Sequence, residues 1–123
     1  MWWRSRKSNS KKNISKHYDL GNEFFSLWLD DTLTYSSAIF ENDKLDLENA
    51  QINKYKKLTS LIKPKIGDKV LEIGCGWGGF AEFIGKNYDV KLDCITISKK
   101  QFDYAKNRIY KICLNEKINI KMQ

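Results

Sequence analysis

The sequence predicts an α/β fold: the N-terminal half of a doubly wound, Rossmann-like sheet, preceded by short helices that form a cap. Three observations carry this. Residues 70–79, Val-Leu-Glu-Ile-Gly-Cys-Gly-Trp-Gly-Gly, read as a strand that runs into a glycine-rich turn and then into a helix from near Phe80. Apolar runs at 92–97 and 118–122 sit at the spacing of two further strands. The segments between them have helical periodicity, and strand-helix-strand-helix-strand in this order is half of a doubly wound sheet.

A chain of 123 residues with 41% hydrophobic and 30% charged residues has the make-up of a small globular protein. No apolar run approaches the length of a membrane span, and the basic start is not followed by the apolar core of a signal peptide. Cys75, Cys94 and Cys113 have no metal-ligand spacing, His17 is the sole histidine, and no metal is expected. The odd cysteine count suggests reduced thiols and a cytoplasmic protein. The net charge of +7 is concentrated in residues 1–16, where Arg4, Arg6, Lys7, Lys11, Lys12 and Lys16 stand without an acid. With Trp2 and Trp3 at its tip, this arm is either a solvated tail or a contact for an anionic membrane surface, peripheral at the inner face. Nucleic acid ranks last, because the aromatics are not interleaved with the basic residues.

Residues 13–19 suit a short helical turn, in which His17 reads as structural more readily than as a base. Asn22 is a candidate N-cap for a helix through 23–29, with Phe24, Phe25, Trp28 and Leu29 as its apolar stripe and Asp30-Asp31 at its end. An extended, hydroxyl-rich segment follows at 34–37. Asp46 should cap a helix over 47–62, with Gln51, Tyr55, Leu58 and Ile62 on its packing face and Leu61 widening it. Pro64 and Gly67 turn the chain into the central strand. Val70, Leu71 and Ile73 then give the apolar run of a strand covered on both faces. After the glycine turn, Phe80, Phe83 and Ile84 mark a helix ending near Asn87. Ser98-Lys99-Lys100-Gln101 reads as a capping box, and Phe102, Ala105, Ile109, Ile112 and Cys113 form the packing side of the helix it starts. The implied organisation is a basic arm at 1–16, a helical cap and cofactor lid at 17–66, and a partial core at 67–123.

The turn invites a ligand. Gly74, Gly76 and Gly78 remove side chains so that a ligand can approach the backbone, and the following helix presents its first amides. Gly74, Gly76 and Gly79 also satisfy G-x-G-x-x-G, the dinucleotide pattern, so spacing leaves the ligand open. Glu72 helps to decide. A carboxylate two residues before the first glycine repels a pyrophosphate and attracts a cofactor with an ammonium and a sulfonium, such as S-adenosylmethionine. No Gly-Lys-Ser/Thr follows, which excludes the Walker cradle.

Four blocks resemble the cyclopropane-fatty-acyl-phospholipid and mycolic acid cyclopropane synthases: His17-Tyr18-Asp19-Leu20-Gly21-Asn22-Glu23-Phe24-Phe25, Thr34-Tyr35-Ser36-Ser37-Ala38, residues 71–79, and Thr96-Ile97-Ser98-Lys99-Lys100-Gln101. The glycine turn alone indicates only a class I S-adenosylmethionine-dependent methyltransferase; four blocks in order are more specific. The resemblance implies transfer of a methylene group from S-adenosylmethionine to the cis double bond of unsaturated phospholipid acyl chains, with a bound bicarbonate as base. It implies that Tyr35 and Ser36 touch the cofactor. Val70, Leu71, Glu72, Ile73, Gly74, Cys75, Gly76, Trp77 and Gly78 would cradle it, and Thr96, Ile97, Ser98, Lys99, Lys100 and Gln101 would reach its ribose and adenine. Ser37 stands beside the bicarbonate pocket, where the family commonly has cysteine. No acid ends the second strand to hold ribose hydroxyls, and Gln101 is expected to take that place. The resembling enzymes continue past Gln123 into Asp-Tyr-Arg and further strands. The expectation is therefore a fragment with an open strand edge, unstable and without turnover alone. Methylation of a small amine and a non-catalytic lipid- or cofactor-binding module are the competing readings.

Overall fold

The computed structural model describes residues 21–123, so the basic arm, the turn at 13–19 and His17 lie outside the described residues. The described chain contains α1 (Asn22–Ser26), α2 (Leu47–Ile62), β1 (Lys69–Ile73), α3 (Gly79–Asn87), β2 (Lys91–Thr96), α4 (Lys99–Lys111) and β3 (Ile118–Met122). The three strands form one parallel sheet in the order β1-β2-β3, with Val70 opposite Leu92 and Leu92 opposite Ile118. Parallel neighbours require crossover helices, and α3 and α4 supply them.

Both crossovers lie on the same face. Ala81 and Ile84 of α3 and Ala105 and Ile109 of α4 pack with Leu92, Cys94, Ile118 and Ile120 in one core cluster. The other face carries Lys69, Leu71, Ile73, Lys91 and Asp93, and no described helix covers it. Leu71 and Ile73 are therefore 59% and 76% exposed, not covered on both faces as their apolar run suggests, and among the described strands β1 lies at the edge of the sheet.

The capping signals hold unevenly. Asp46 caps α2 as predicted, accepting from the Asn49 amide at 2.8 Å. Its packing face is Ala50, Gln51, Tyr55 and Thr59, whereas Leu58, Leu61 and Ile62 are exposed. α1 is shorter than expected and its N-cap is Gly21, with no side-chain cap. Asn22 instead accepts from the Trp77 indole at 2.8 Å, which takes it away from capping. Of the predicted stripe only Phe25 is fully buried, against Trp77 at 4.8 Å between rings. At the far end α4 stops at Lys111; Cys113 has φ 58 and is exposed, because the left-handed turn swings it off the packing side.

A charged tie joins cap to core. The Arg108 guanidinium on α4 pairs with Glu82 of α3 and also donates to the carbonyls of Thr32 (2.8 Å) and Trp77 (3.5 Å). Burial alone would raise the Glu82 carboxyl, but the hydrogen bonds and charges of Lys86 and Arg108 outweigh it and hold the group below its ordinary range.

Two glycines permit close packing for different reasons. A Cβ at Gly79 would lie 2.6 Å from the Tyr55 hydroxyl and 2.7 Å from the Thr32 carbonyl, whereas one at Gly85 would meet only the methyl ends of Ile118 and Leu114. Backbone cannot swing aside as a methyl can. Gly79→Ala is expected to destabilise the chain by about 1–3 kcal/mol. For Gly85→Ala, a helix-propensity gain of about 1 kcal/mol should offset most of the repacking. Urea melts of the two variants check this, and equal midpoints would contradict it.

Candidate functional site

The strand-turn-helix unit opens a cleft of about 750 Å³ at the C-terminal ends of β1 and β2. Three walls enclose it. The first is 70–76 with Gly79 and Phe80, the second is 95–97 with Gln101, and the third is the segment 33–36 backed by Lys54, Tyr55, Leu58 and Ile62 of α2.

The turn is lashed to its neighbouring strand. The amides of Gly74 and Cys75 both donate to the Ile95 carbonyl, at 2.9 and 3.1 Å, and the Gly78 amide donates to Cys75 O at 3.0 Å. Three amides of the turn are thus already engaged, and an anion finds fewer donors there than the glycine pattern suggests. Gly74 and Gly76 have φ of 80 and 54, and a Cβ on either would meet nothing within 4 Å. These two face open cleft. Gly78 serves packing instead: its Cβ would lie 3.3 Å from that of Ala105.

Glu72 carries the charge of this wall. Burial raises its pKa to about 7, and the Cys94 thiol, donating to Oε2 at 3.5 Å, only partly opposes the shift. The Cys94 thiol is itself pushed far up, first by its contact with Cys75, then by burial and by the Glu72 charge, so it stays protonated.

The end of β2 holds a closed polar cluster. Thr96 Oγ1 donates to Gln101 Oε1 at 3.0 Å and accepts the Ser98 amide at 3.2 Å. Ser98 Oγ accepts the Gln101 amide at 3.3 Å, which is one arm of the capping box. The Gln101 side chain completes no second arm, because Thr96 holds it. With its oxygen engaged, Gln101 has amide hydrogens to offer a ligand.

Tyr35 packs edge-on against Phe25 and Trp28, at 5.7 and 6.0 Å between ring centroids. The Ser36 hydroxyl meets Lys54 Nζ at 2.7 Å. Tyr55 bonds the Thr34 hydroxyl, and burial raises its phenol pKa.

Of the residues singled out in the sequence, Tyr35, Ser36, Val70, Leu71, Glu72, Ile73, Gly74, Cys75, Gly76, Thr96, Ile97 and Gln101 line the cleft. Six others lie off its wall. Trp77 is buried against Phe25, Gly78 packs on α4, and Ser98 is enclosed beneath Thr96. Lys99 pairs with Asp103 on the exposed first turn of α4, where Lys100 also sits, and Ser37 presents its carbonyl to Lys54. Sequence reasoning missed Lys54, Phe80 and Gly79 as wall residues. Tyr55 lay on a periodic face and was traceable, whereas a lysine on a helix carries no such signal. Among the described residues no cluster suited to a metal ion occurs, and no helix is long and apolar enough to cross a membrane.

The architecture is that of the N-terminal half of a Rossmann-like, S-adenosylmethionine-dependent methyltransferase fold. The mycolic acid cyclopropane synthase CmaA1, solved in complex with SAH and CTAB, superposes with a TM-score of 0.82 at 33% identity, over 92% of this chain and 39% of that one. Residues 5–123 match the family model for mycolic acid cyclopropane synthetase, and the chain belongs to that family. The cyclopropane-fatty-acyl-phospholipid synthase of Escherichia coli is 45% identical over 93 residues, 76% of this chain and 24% of the relative. A "Probable fatty acid methyltransferase" of Pseudomonas putida is 37% identical over 121 residues, 95% of this chain and 31% of the relative. The chain thus spans about a third or less of the length of these two relatives.

The raised Glu72 pKa has a definite sign for stability. Between its ordinary 4.5 and about 7 the folded state binds the proton more tightly, so this group makes folding less favourable as pH rises through that window. The full shift corresponds to at most about 3 kcal/mol. Glu72→Gln should gain stability relative to the parent between pH 5 and pH 8, measured by paired urea melts. A difference that stays constant with pH would contradict a half-buried, reluctantly ionised carboxyl.

Proposed function

We propose that the cleft binds S-adenosylmethionine and that the chain forms the donor-binding part of an enzyme acting on lipid. That enzyme transfers a methylene group to the cis double bond of unsaturated phospholipid acyl chains. One observation carries the reading: a half-buried carboxyl, Glu72, beside a glycine turn three of whose amides are already engaged. Such a wall favours a cation over a phosphate. A positive charge within about 4–6 Å lowers a carboxyl pKa by 1–3 units, enough to offset the shift that burial imposes. Family membership and the SAH-bound structure of CmaA1 support the same reading.

When bound, the cofactor supplies an electrophilic methyl group on sulfonium. The chain's own residues then have distinct tasks. Glu72 balances cofactor positive charge. Gly74 and Gly76 leave room for close approach, and no Cβ competes for that space. Gln101 donates to ribose hydroxyls in place of the acid that such strands often carry. Tyr35, Phe80 and the exposed Leu71 and Ile73 give the walls apolar surface, and Ser36 lines them beside Lys54. Trp77, Gly78 and Ser98 support these groups from behind, whereas Lys99, Lys100 and Ser37 lie off the cleft wall. For the bicarbonate that the family resemblance implies, the predicted residue is Ser37 alone, with its carbonyl tied to Lys54. No proton transfer is assigned to the described residues. The acyl substrate would come from an anionic bilayer, which the six basic residues of 1–16 suit electrostatically.

Titration calorimetry with S-adenosylmethionine tests the cleft. Binding should strengthen about tenfold per unit from pH 5 to pH 7 and then level, since an ionised Glu72 is required. Glu72→Gln should bind at least tenfold more weakly at pH 8, with a flat profile. Binding of a phosphate-bearing nucleotide in place of S-adenosylmethionine would overturn the assignment. Joined to the C-terminal remainder of the Escherichia coli relative, the chain should modify unsaturated phospholipid vesicles, and absence of methylene transfer there would remove the lipid reading.

A further inference from the structure

We infer that Lys54 is a positioning residue: with Gln51, its side chain fixes the backbone of residues 34–37 so that Tyr35 and Ser36 present a formed wall to the cleft. The functional consequence rests on the cofactor reading above, whereas the geometry stands without it.

Residues 34–37 adopt no helix or strand, so their carbonyls have no sheet partner. α2 supplies the partners through side chains. Lys54 Nζ donates to Ser36 Oγ at 2.7 Å, to the Ser37 carbonyl at 2.9 Å and to the Ser36 carbonyl at 3.4 Å. Gln51 Nε2 donates to the Ser36 carbonyl at 2.8 Å and the Thr34 carbonyl at 3.3 Å. Residues 51 and 54 are three apart on one helix, hence on one face. Asn53 extends the same arrangement to the Ile39 carbonyl at 2.9 Å.

An ammonium has three donors on rotatable bonds, and here three acceptors surround it. A planar guanidinium reaches such divergent oxygens less well. Because these acceptors match its donors, Lys54 has little left for an anionic ligand, and its influence passes through the segment it holds. The charge matters too, since hydrogen bonds from a charged donor are roughly twice as strong as neutral ones. Burial lowers the pKa of the ammonium and the Asp30 carboxylate opposes this; the Tyr55 ring lies 5.6 Å away, and Glu72 shares the cleft.

Lys54→Met keeps the stem and removes the donors, whereas Lys54→Arg keeps the charge. Hydrogen exchange of the ligand-free chain reads the geometry directly. In Lys54→Met, the Ile39 amide, which donates to the Ala50 carbonyl at 3.2 Å, should exchange at least tenfold faster while those of β1 and β2 stay unchanged. Calorimetry with S-adenosylmethionine should show at least a tenfold loss of affinity in the same variant. The parent should also lose affinity at alkaline pH, below the ordinary lysine range, and Lys54→Arg should lack that decline. Unchanged exchange and affinity in Lys54→Met would overturn the inference, as would an equal alkaline decline in Lys54→Arg. If Lys54→Met fails to fold, the alkaline profile of Lys54→Arg decides alone. A parent that binds no S-adenosylmethionine would sink the cofactor reading, and the exchange data would still decide whether Lys54 holds the segment.

Discussion

One carbonyl organises the site. Ile95 O, at the end of β2, accepts the amides of both Gly74 and Cys75. To present two successive amides to one oxygen, the chain leaving β1 must bend sharply, and Gly74 does so at φ 80, where a side chain would be strained. That bend ends β1 at Ile73, one residue past Glu72, and α3 starts at Gly79. The position of the carboxyl, the width of the opening and the direction of the helix all follow from it.

The four glycines of the turn therefore divide their labour. Gly74 and Gly76 border empty space, Gly78 admits α4, and Gly79 admits the cap segment with its Thr32 carbonyl and Tyr55 hydroxyl. Only the first two bear on a ligand directly. The other two bring neighbouring elements close enough to wall the cleft, so ligand space and packing density are set by the same six residues. The third wall is built differently, from side chains of α2 that serve as backbone partners for a segment with no strand of its own.

Much of this was legible in the sequence because it is local. The order of strands and crossover helices, the Asp46 and Ser98 caps and the cleft-lining run 70–76 depend on spacing and on residue types with narrow conformational uses. What was hidden depends on neighbours. Leu71 and Ile73 have the composition of a doubly covered strand, and only the placement of both crossovers on one face shows that they are exposed. Trp77 lies inside the motif yet turns into the Phe25 cluster, since its indole finds Asn22 from the cap. Gln101 read as half of a capping box until Thr96, five residues earlier on another element, claimed its oxygen. Lys54 gave no signal, because a basic residue on an amphipathic helix ordinarily points to water.

Arg108 gives the molecule a mechanical property that none of its neighbours has. A single guanidinium holds a carboxylate on α3, a carbonyl in the glycine turn and a carbonyl in the cap. Lifting the cap away would cost this cation its Thr32 partner and leave it the Glu82 carboxylate and the Trp77 carbonyl. A displacement of α3 or α4 is therefore passed to the cap segment at Thr32 through a single side chain.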